Sequence, residues 1–188
     1  MKLVLASQSP RRREILDNAG IAFEVRTSGV PEELTEGESP VQYVQRLAAS
    51  KAAAVSRTDD EIVLGADTVV VLENKILEKP RDGADAARML GVLSGRQHKV
   101  ITGVCLLTRN HRVVDSAETF VSFTRLSAAE IAQYVASGEP MDKAGAYAIQ
   151  GRASKWLERI DGCYFNVVGL PISLVYRHLK ELTSAPSF

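Results

Sequence analysis

The most concentrated chemistry in the sequence lies in its first loop, Ser7-Gln8-Ser9-Pro10-Arg11-Arg12-Arg13, between a predicted strand and a predicted helix. A helix N-terminus has unpaired N–H groups and about half a positive charge, so arginines in its first turn oppose the helix dipole. A phosphate would reverse this penalty, because N–H groups, hydroxyls and guanidinium groups would converge on it. The loop therefore predicts a phosphate site, and the alternative is an exposed basic turn with a serine cap.

A carboxylate, Asp67, interrupts the apolar run from Ile62 to Leu72. Burying a carboxylate is costly unless the group is paired or hydrogen-bonded. Gly65 and Ala66 just before it leave room for something to approach the backbone. If a hairpin turns at residues 73–74, Asp67 lies opposite Pro80, and the register decides whether the neighbouring Lys79 shares its face. Asp67 is therefore either a functional base or one half of a structural ion pair with Lys79.

Three more charged residues need an explanation for their position. Lys51 falls on the apolar stripe of a predicted helix, where a lysine seldom lies without a partner, although it could also snorkel from the edge of the stripe. Glu32 and Glu33 lie in an acidic loop. That loop is either solvated surface or brings a carboxylate to a Mg²⁺-type ion, which prefers a few carboxylates plus phosphate and water.

Strands and helices interleave along the chain, and several strands pair as hairpins, which predicts a mixed-sheet α/β or α+β fold. The helices are predicted at Pro10–Ala19, Pro40–Arg57, 83–93, a segment capped by Ser127 and Glu130 that ends at Gly138, and Pro171–Leu182, before a frayed tail at Thr183–Phe188. The strands are predicted at Lys2–Ala6, Ala22–Thr27, Glu61–Leu72, Lys75–Glu78, Val100–Thr108 and Val113–Phe123, and in a hairpin of Lys155–Ile160 with Cys163–Val168.

Composition excludes several classes of protein. The chain has 188 residues, 45% of them hydrophobic and 24% charged, which is ordinary globular composition. Lysine plus arginine and aspartate plus glutamate both number 23, so the zero net charge argues against a stable nucleic-acid partner. No apolar run is long enough for a membrane span. Cys105 and Cys163 share no motif spacing, which is typical of reduced cysteines in a cytoplasmic protein.

Five segments together resemble the Maf family of nucleoside triphosphate pyrophosphatases, also called septum-formation-inhibitor Maf proteins. The segments are Leu5–Arg12, Leu64–Val70, Leu77–Pro80, Asp142–Gly151 and Asn166–Pro171. The resemblance implies an α/β fold in which a mixed twisted sheet with flanking helices forms two lobes around a cleft, like that of the inosine triphosphate pyrophosphatases. It implies one domain over residues 1–188, whose lobes are not independent.

The resemblance also implies an enzyme that cuts a nucleoside triphosphate between its α and β phosphates, giving monophosphate and pyrophosphate, as part of cleaning the nucleotide pool. It implies a divalent cation (Mg²⁺, Mn²⁺ or Co²⁺) and usually a homodimer, and the reduced cysteines predict a cytoplasmic location. The segment Asp142–Gly151 looks like the branch that hydrolyses dTTP and UTP. The alternatives are a 7-methyl-GTP or CTP pyrophosphatase of the same fold, or a nucleotide-binding regulator of cell division.

By position, the resemblance assigns Asp67 as proton acceptor and, with Glu32, as metal ligand. It places Glu32, Lys51 and Lys79 among the catalytic residues as well. The predicted substrate-binding residues are Ser7, Ser9, Arg11, Arg12, Thr68 and Gln150, of which Arg11, Thr68 and Gln150 match specificity positions of the branch. Two departures are Ala148, where the branch commonly has glycine, and Pro31, where the family often has an acidic residue. We expect replacement of Lys51 or Lys79 to damage turnover with little effect on the melting temperature.

Overall fold

Seven strands form one mixed sheet in the computed structural model, which describes residues 1–184. The strands are β1 (Lys2–Leu5), β2 (Phe23–Val25), β3 (Glu61–Leu72), β4 (Lys75–Leu77), β5 (Gln97–Leu107), β6 (Arg112–Phe123) and β7 (Leu157–Asp161). Their order is β2-β1-β3-β5-β6-β7, with β4 paired to β3. Strand β1 runs parallel to both β2 and β3, whereas β3–β4 and β6–β7 are antiparallel. The predicted mixed-sheet α/β fold is therefore confirmed.

Six α-helices accompany the sheet within the described residues. They are α1 (Pro10–Asn18), α2 (Pro40–Ala53), α3 (Gly83–Leu93), α4 (Ala128–Ala136), α5 (Tyr164–Val168) and α6 (Ile172–Ser184), with short 3-10 helices at Glu139–Asp142, Ala144–Ala146 and Arg152–Trp156. The predicted capping box at the start of α4 is confirmed, because the Ser127 hydroxyl accepts from the Glu130 N–H while the Glu130 carboxylate accepts from Ser127 N–H. Of the predicted tail, residues 183 and 184 belong to α6, and residues 185–188 lie outside the described residues.

The chain divides into two compact units. The first comprises residues 1–67, 102–117 and the chain from Gly169 onward, and the second comprises residues 68–101 and 118–168. Three of the boundaries fall inside β3, β5 and β6, so these strands contribute residues to both units. No helix of residues 1–184 has the length and apolar character that crossing a membrane requires.

Small residues let α2 pack closely on the strands of the first unit. Val4, Ala48, Ala52 and Val63 belong to one buried apolar cluster. A Cβ atom on Gly65 would lie 2.1 Å from the Ala48 carbonyl oxygen, so the α2 backbone takes up the space beside this glycine. The prediction that Gly65 leaves room for something to approach the backbone is therefore confirmed, and what approaches is the backbone of α2.

The predicted hairpin of Lys155–Ile160 with Cys163–Val168 is wrong. Strand β7 pairs with β6 instead, and the chain after Gly162 forms α5. Asn166 explains the difference, because its buried side-chain amide donates to the carbonyl of Val100 at 3.0 Å and to the Thr119 hydroxyl at 2.9 Å. The partners of Asn166 are distant in the sequence, so the local turn pattern cannot predict these contacts.

Candidate active site

A buried ammonium group joins two carboxylates in the first unit. The Lys51 Nζ atom lies 2.6 Å from Asp67 Oδ1 and 2.6 Å from Glu32 Oε1. Lys51 and Asp67 are 7% and 6% exposed, whereas 37% of the Glu32 side chain is exposed. The alternative that Lys51 snorkels to solvent is therefore wrong, and the cation that pairs with Asp67 in this unit is Lys51.

Three elements bring these side chains together. Asp67 lies on β3 two residues after Gly65, Lys51 lies in the last turn of α2, and Glu32 comes from the loop between β2 and α2. Because the α2 backbone approaches β3 at Gly65, the four-carbon stem of Lys51 reaches the Asp67 carboxylate. The geometry of the cluster thus depends on a helix–strand contact that only small side chains permit.

The basic turn at the start of α1 is only partly exposed. Arg12 is 9% exposed, and its guanidinium donates from Nη1 to the Ser7 hydroxyl at 3.1 Å and from Nε to the Gly169 carbonyl at 2.8 Å. Arg11 is half-buried. Ser9 holds the N-cap position of α1, but its side chain makes no capping hydrogen bond. Its N–H donates instead to the Ser7 hydroxyl at 3.2 Å. The alternative of an exposed turn with a serine cap is wrong for Arg12.

Burial and charge act against each other at Asp67 and Arg12. Burial raises the pKa of the Asp67 carboxyl above its ordinary value, although Lys51 and Arg12 both favour its ionised form. Burial also lowers the pKa of the Arg12 guanidinium, which the carboxylates of Asp67 and Glu32 oppose. A carboxylate with a raised pKa is a stronger base than an exposed one, so Asp67 is suited to accept a proton.

An arginine on α2 fixes the loop that carries Glu32. Arg46 forms a two-pronged ion pair with the Glu38 carboxylate at 2.7 and 2.6 Å, and it donates to the Glu33 carbonyl at 2.9 Å. Arg46 and Lys51 therefore hold the loop from the same helix, one through its backbone and one through Glu32. Arg46 was not predicted from the sequence, although a basic residue that follows an acidic loop can indicate an ion pair with that loop.

The two carboxylates fit one kind of metal ion. Glu32 and Asp67 come from distant parts of the chain and approach the same cationic atom, so they can share a cation. Mg²⁺ is commonly bound by one or two carboxylates, with water and substrate phosphate completing its shell. Within residues 1–184, no group of three or more histidine, cysteine, aspartate and glutamate side chains is arranged to hold a metal ion.

The remaining predicted site residues belong to the second unit. Thr68 is half-buried on β3, Lys79 is exposed after β4, and Gln150 is exposed in a turn that follows Tyr147. Their assigned roles stay predictions. The Gly169 carbonyl that accepts from Arg12 was missed, because a backbone acceptor leaves no mark in residue types.

Known proteins resemble this chain over most of its length. The family model described as "Maf-like protein" matches residues 2–182. A protein of Koribacter versatilis named dTTP/UTP pyrophosphatase is 54% identical over 182 residues, which cover 96% of this chain and 94% of that protein. A protein of the same name from Symbiobacterium thermophilum is 52% identical over 97% of this chain and 93% of its own length.

One solved structure supports the fold. The Ham1 protein of Staphylococcus aureus superposes with a TM-score of 0.54 at 13% identity, covering 96% of this chain and 99% of that one.

Proposed function

The chain belongs to the Maf family, and from this premise we propose that it is a nucleoside triphosphate pyrophosphatase that hydrolyses dTTP and UTP. The observation that carries the proposal is the cluster of the buried Lys51 and Asp67 with the more exposed Glu32, whose carboxylates also interact electrostatically with the buried Arg12. This cluster combines a base of raised pKa with two cations, which is the chemistry that phosphoryl transfer requires. The relatives that carry the dTTP/UTP name support the choice of substrate.

In the proposed mechanism, Asp67 accepts a proton from a water molecule that attacks the α phosphorus. A new phosphorus–oxygen bond forms, the bond from the α phosphorus to the bridging oxygen breaks, and pyrophosphate leaves with that oxygen. The cationic groups of Arg11, Arg12, Lys51 and Lys79 hold the triphosphate and balance its charge, with the hydroxyls of Ser7 and Ser9 nearby in the loop. Most of the acceleration then comes from position and electrostatics.

A divalent cation (Mg²⁺, Mn²⁺ or Co²⁺) is part of the proposal. Glu32 and Asp67 would hold it, and when bound it would neutralise negative charge on the phosphate oxygens. Glu32 is the more exposed of the two carboxylates, while Asp67 lies deeper, at the strand.

Base recognition is assigned in the proposal to two residues of the second unit and one of the first. Gln150 and Thr68, together with Arg11, are the residues we propose for it, because these positions match the dTTP/UTP branch. A glutamine amide offers both a donor and an acceptor to the edge of a pyrimidine.

Three broader features complete the proposal: residues 1–188 form one domain whose two units do not fold independently, the chain forms a homodimer, and the protein is cytoplasmic. The unit boundaries inside β3, β5 and β6 support the first feature. Sedimentation velocity tests the second, since a monomer at micromolar concentration would contradict it.

The test is a panel of triphosphates assayed for pyrophosphate release with Mg²⁺ and Mn²⁺. We expect dTTP and UTP to be hydrolysed faster than CTP, 7-methyl-GTP and ATP, with monophosphate and pyrophosphate as products. Orthophosphate as the first product, or a preference for 7-methyl-GTP or CTP, would overturn the proposal. Nucleotide binding without hydrolysis would favour a regulator.

The variant Asp67→Asn tests the base. It keeps the size of the side chain and removes the proton acceptor, so kcat should fall by a factor of about 10²–10⁴ while nucleotide binding persists. Asp85→Asn is the matched control, because Asp85 is also a buried carboxylate (7% exposed) with arginine partners, but it lies on α3 in the second unit. Its kcat should stay close to that of the unmodified protein.

A further inference from the structure

The turn that carries Gln150 is short and closed. The Gly151 N–H donates to the Ala148 carbonyl at 3.1 Å, which leaves Ile149 and Gln150 as the two central residues. Ile149 is 8% exposed and points into the protein, whereas Gln150 is exposed. The turn therefore presents the glutamine outward from an anchored backbone.

Two side chains outside the turn hold its backbone on both sides of Gln150. The Tyr134 hydroxyl accepts a hydrogen bond from the Ala148 N–H at 3.3 Å and donates to Glu139 Oε1 at 2.8 Å. The Arg152 N–H in turn donates to Glu139 Oε1 at 3.0 Å. One phenol and one carboxylate thus connect the residue two positions before Gln150 to the residue two positions after it.

This pair is itself firmly held. Tyr134 is 3% exposed and its ring packs edge-on against Trp156, with the ring centres 5.0 Å apart. The backbone carbonyl of Glu139 accepts from Lys143 Nζ at 2.7 Å. A Cβ atom on Gly151 would lie 2.0 Å from Glu139 Oε1, so a glycine at this position is what allows the carboxylate to approach the turn.

We propose that Tyr134 and Glu139 are positioning residues that set base selectivity by holding the Gln150 turn in one conformation. This inference rests on the proposed function. A hydrogen bond weakens steeply when its angle falls below about 120°, so an amide distinguishes a keto from an amino pyrimidine only if its backbone is fixed. A turn that is ordered before the nucleotide arrives also avoids the entropic cost of ordering it on binding.

The test compares dTTP with CTP in the variant Tyr134→Phe, which keeps the ring and removes the hydroxyl. We expect the ratio of kcat/KM for dTTP over CTP to fall about tenfold, mainly through a higher KM for dTTP, with kcat changed less than twofold. In a Gln150→Ala background, the same substitution should leave the ratio unchanged, because the residue through which the hydroxyl acts is gone. An unchanged ratio in Tyr134→Phe alone, or a further independent fall in the double variant, would overturn the inference.

Further variants separate positioning from loss of stability. Glu139→Gln retains an oxygen acceptor and should keep most of the selectivity, whereas Glu139→Ala should lose it. Tyr147→Phe is the matched control, since it removes a buried hydroxyl that contacts His98 rather than the turn; its selectivity should match the unmodified protein. If the unmodified protein hydrolyses neither dTTP nor UTP, the proposed function fails and this inference with it. If it hydrolyses both and Glu139→Ala keeps full selectivity, only the inference fails.

Discussion

Replacing Lys51 by methionine should destabilise the protein strongly, because it leaves a buried carboxylate without the ammonium that contacts it. Methionine matches the length of the lysine stem, so the perturbation is mainly electrostatic. The Asp67 side chain is 8% exposed, and removing one partner of a buried ion pair costs about 3–5 kcal/mol. The pair with the more exposed Glu32 adds about 0–1 kcal/mol. In a chain of this length the summed loss corresponds to a fall in melting temperature of about 6–24 °C.

The loss should depend on pH in a defined direction. Burial already raises the pKa of Asp67, and Lys51 is the main group that opposes this effect, so the pKa rises further in the variant. An acid whose folded pKa exceeds its unfolded pKa destabilises the fold as pH rises through the folded value. The difference in unfolding free energy between Lys51→Met and the unmodified protein should therefore shrink as the pH falls towards the range in which an ordinary aspartate titrates.

Urea unfolding followed by circular dichroism at pH 5 and pH 8 measures both effects. Lys99→Met is the matched control, because the Lys99 pair with Glu118 spans 3.2 Å between side chains that are 41% and 39% exposed. It should cost about 0–1 kcal/mol. The double variant Lys51→Met with Asp67→Asn should recover most of the loss, since no buried carboxylate remains. If Lys51→Met costs no more than Lys99→Met, or costs the same at both pH values, the reasoning is refuted.

Three other predictions follow from contacts elsewhere. Arg46→Gln releases the loop that carries Glu32, so kcat should fall about tenfold to a hundredfold while the melting temperature changes by less than about 3 °C; an unchanged kcat would contradict this role. Burial lowers the pKa of His98 to about 4. The free energy of unfolding should therefore fall by about 3 kcal/mol as the pH falls from about 6.5 to about 4, because the unfolded state takes up the proton more readily. Urea titrations across that range should record a smaller fall for His98→Gln. Because three strands belong to both units, calorimetry should record a single unfolding transition with equal calorimetric and van't Hoff enthalpies, and two resolved transitions would show independent units.

Local sequence patterns predicted the secondary structure well where neighbouring residues determine it. The apolar run Glu61–Leu72 is strand β3 with the same bounds, and the turn at Glu73 and Asn74, both with positive φ, gives the expected pairing of Val70 with Leu77. The failed hairpin at the C-terminal side shows the limit. The Asp161-Gly162 pair favours a tight turn between two strands. The chain after it forms α5 instead, where the buried Asn166 is hydrogen-bonded to β5 and β6.

The sequence drew attention to individual residues of the Lys51 cluster, but not to their arrangement. Lys51, Asp67, Glu32 and the arginines of α1 stand out in the sequence because each is a charged residue at a position where its charge needs an explanation. That Lys51 pairs with Asp67 depends on how closely α2 packs over Gly65, which is a tertiary contact. The expectation that Lys51 could be replaced with little effect on melting temperature changes for the same reason, since the ammonium is buried between two carboxylates.

The cluster of Arg12, Lys51, Glu32 and Asp67 contains equal numbers of positive and negative groups, so it is electrically neutral by itself. A neutral centre exerts little force on a distant polyanion. Under the proposed function, the long-range attraction of a triphosphate comes from the less buried arginines at the start of α1, Arg11 and Arg13. The rate at which the triphosphate binds should then fall as salt is added, whereas the rate of the bond-breaking step should change little, because salt screens buried charges less than exposed ones.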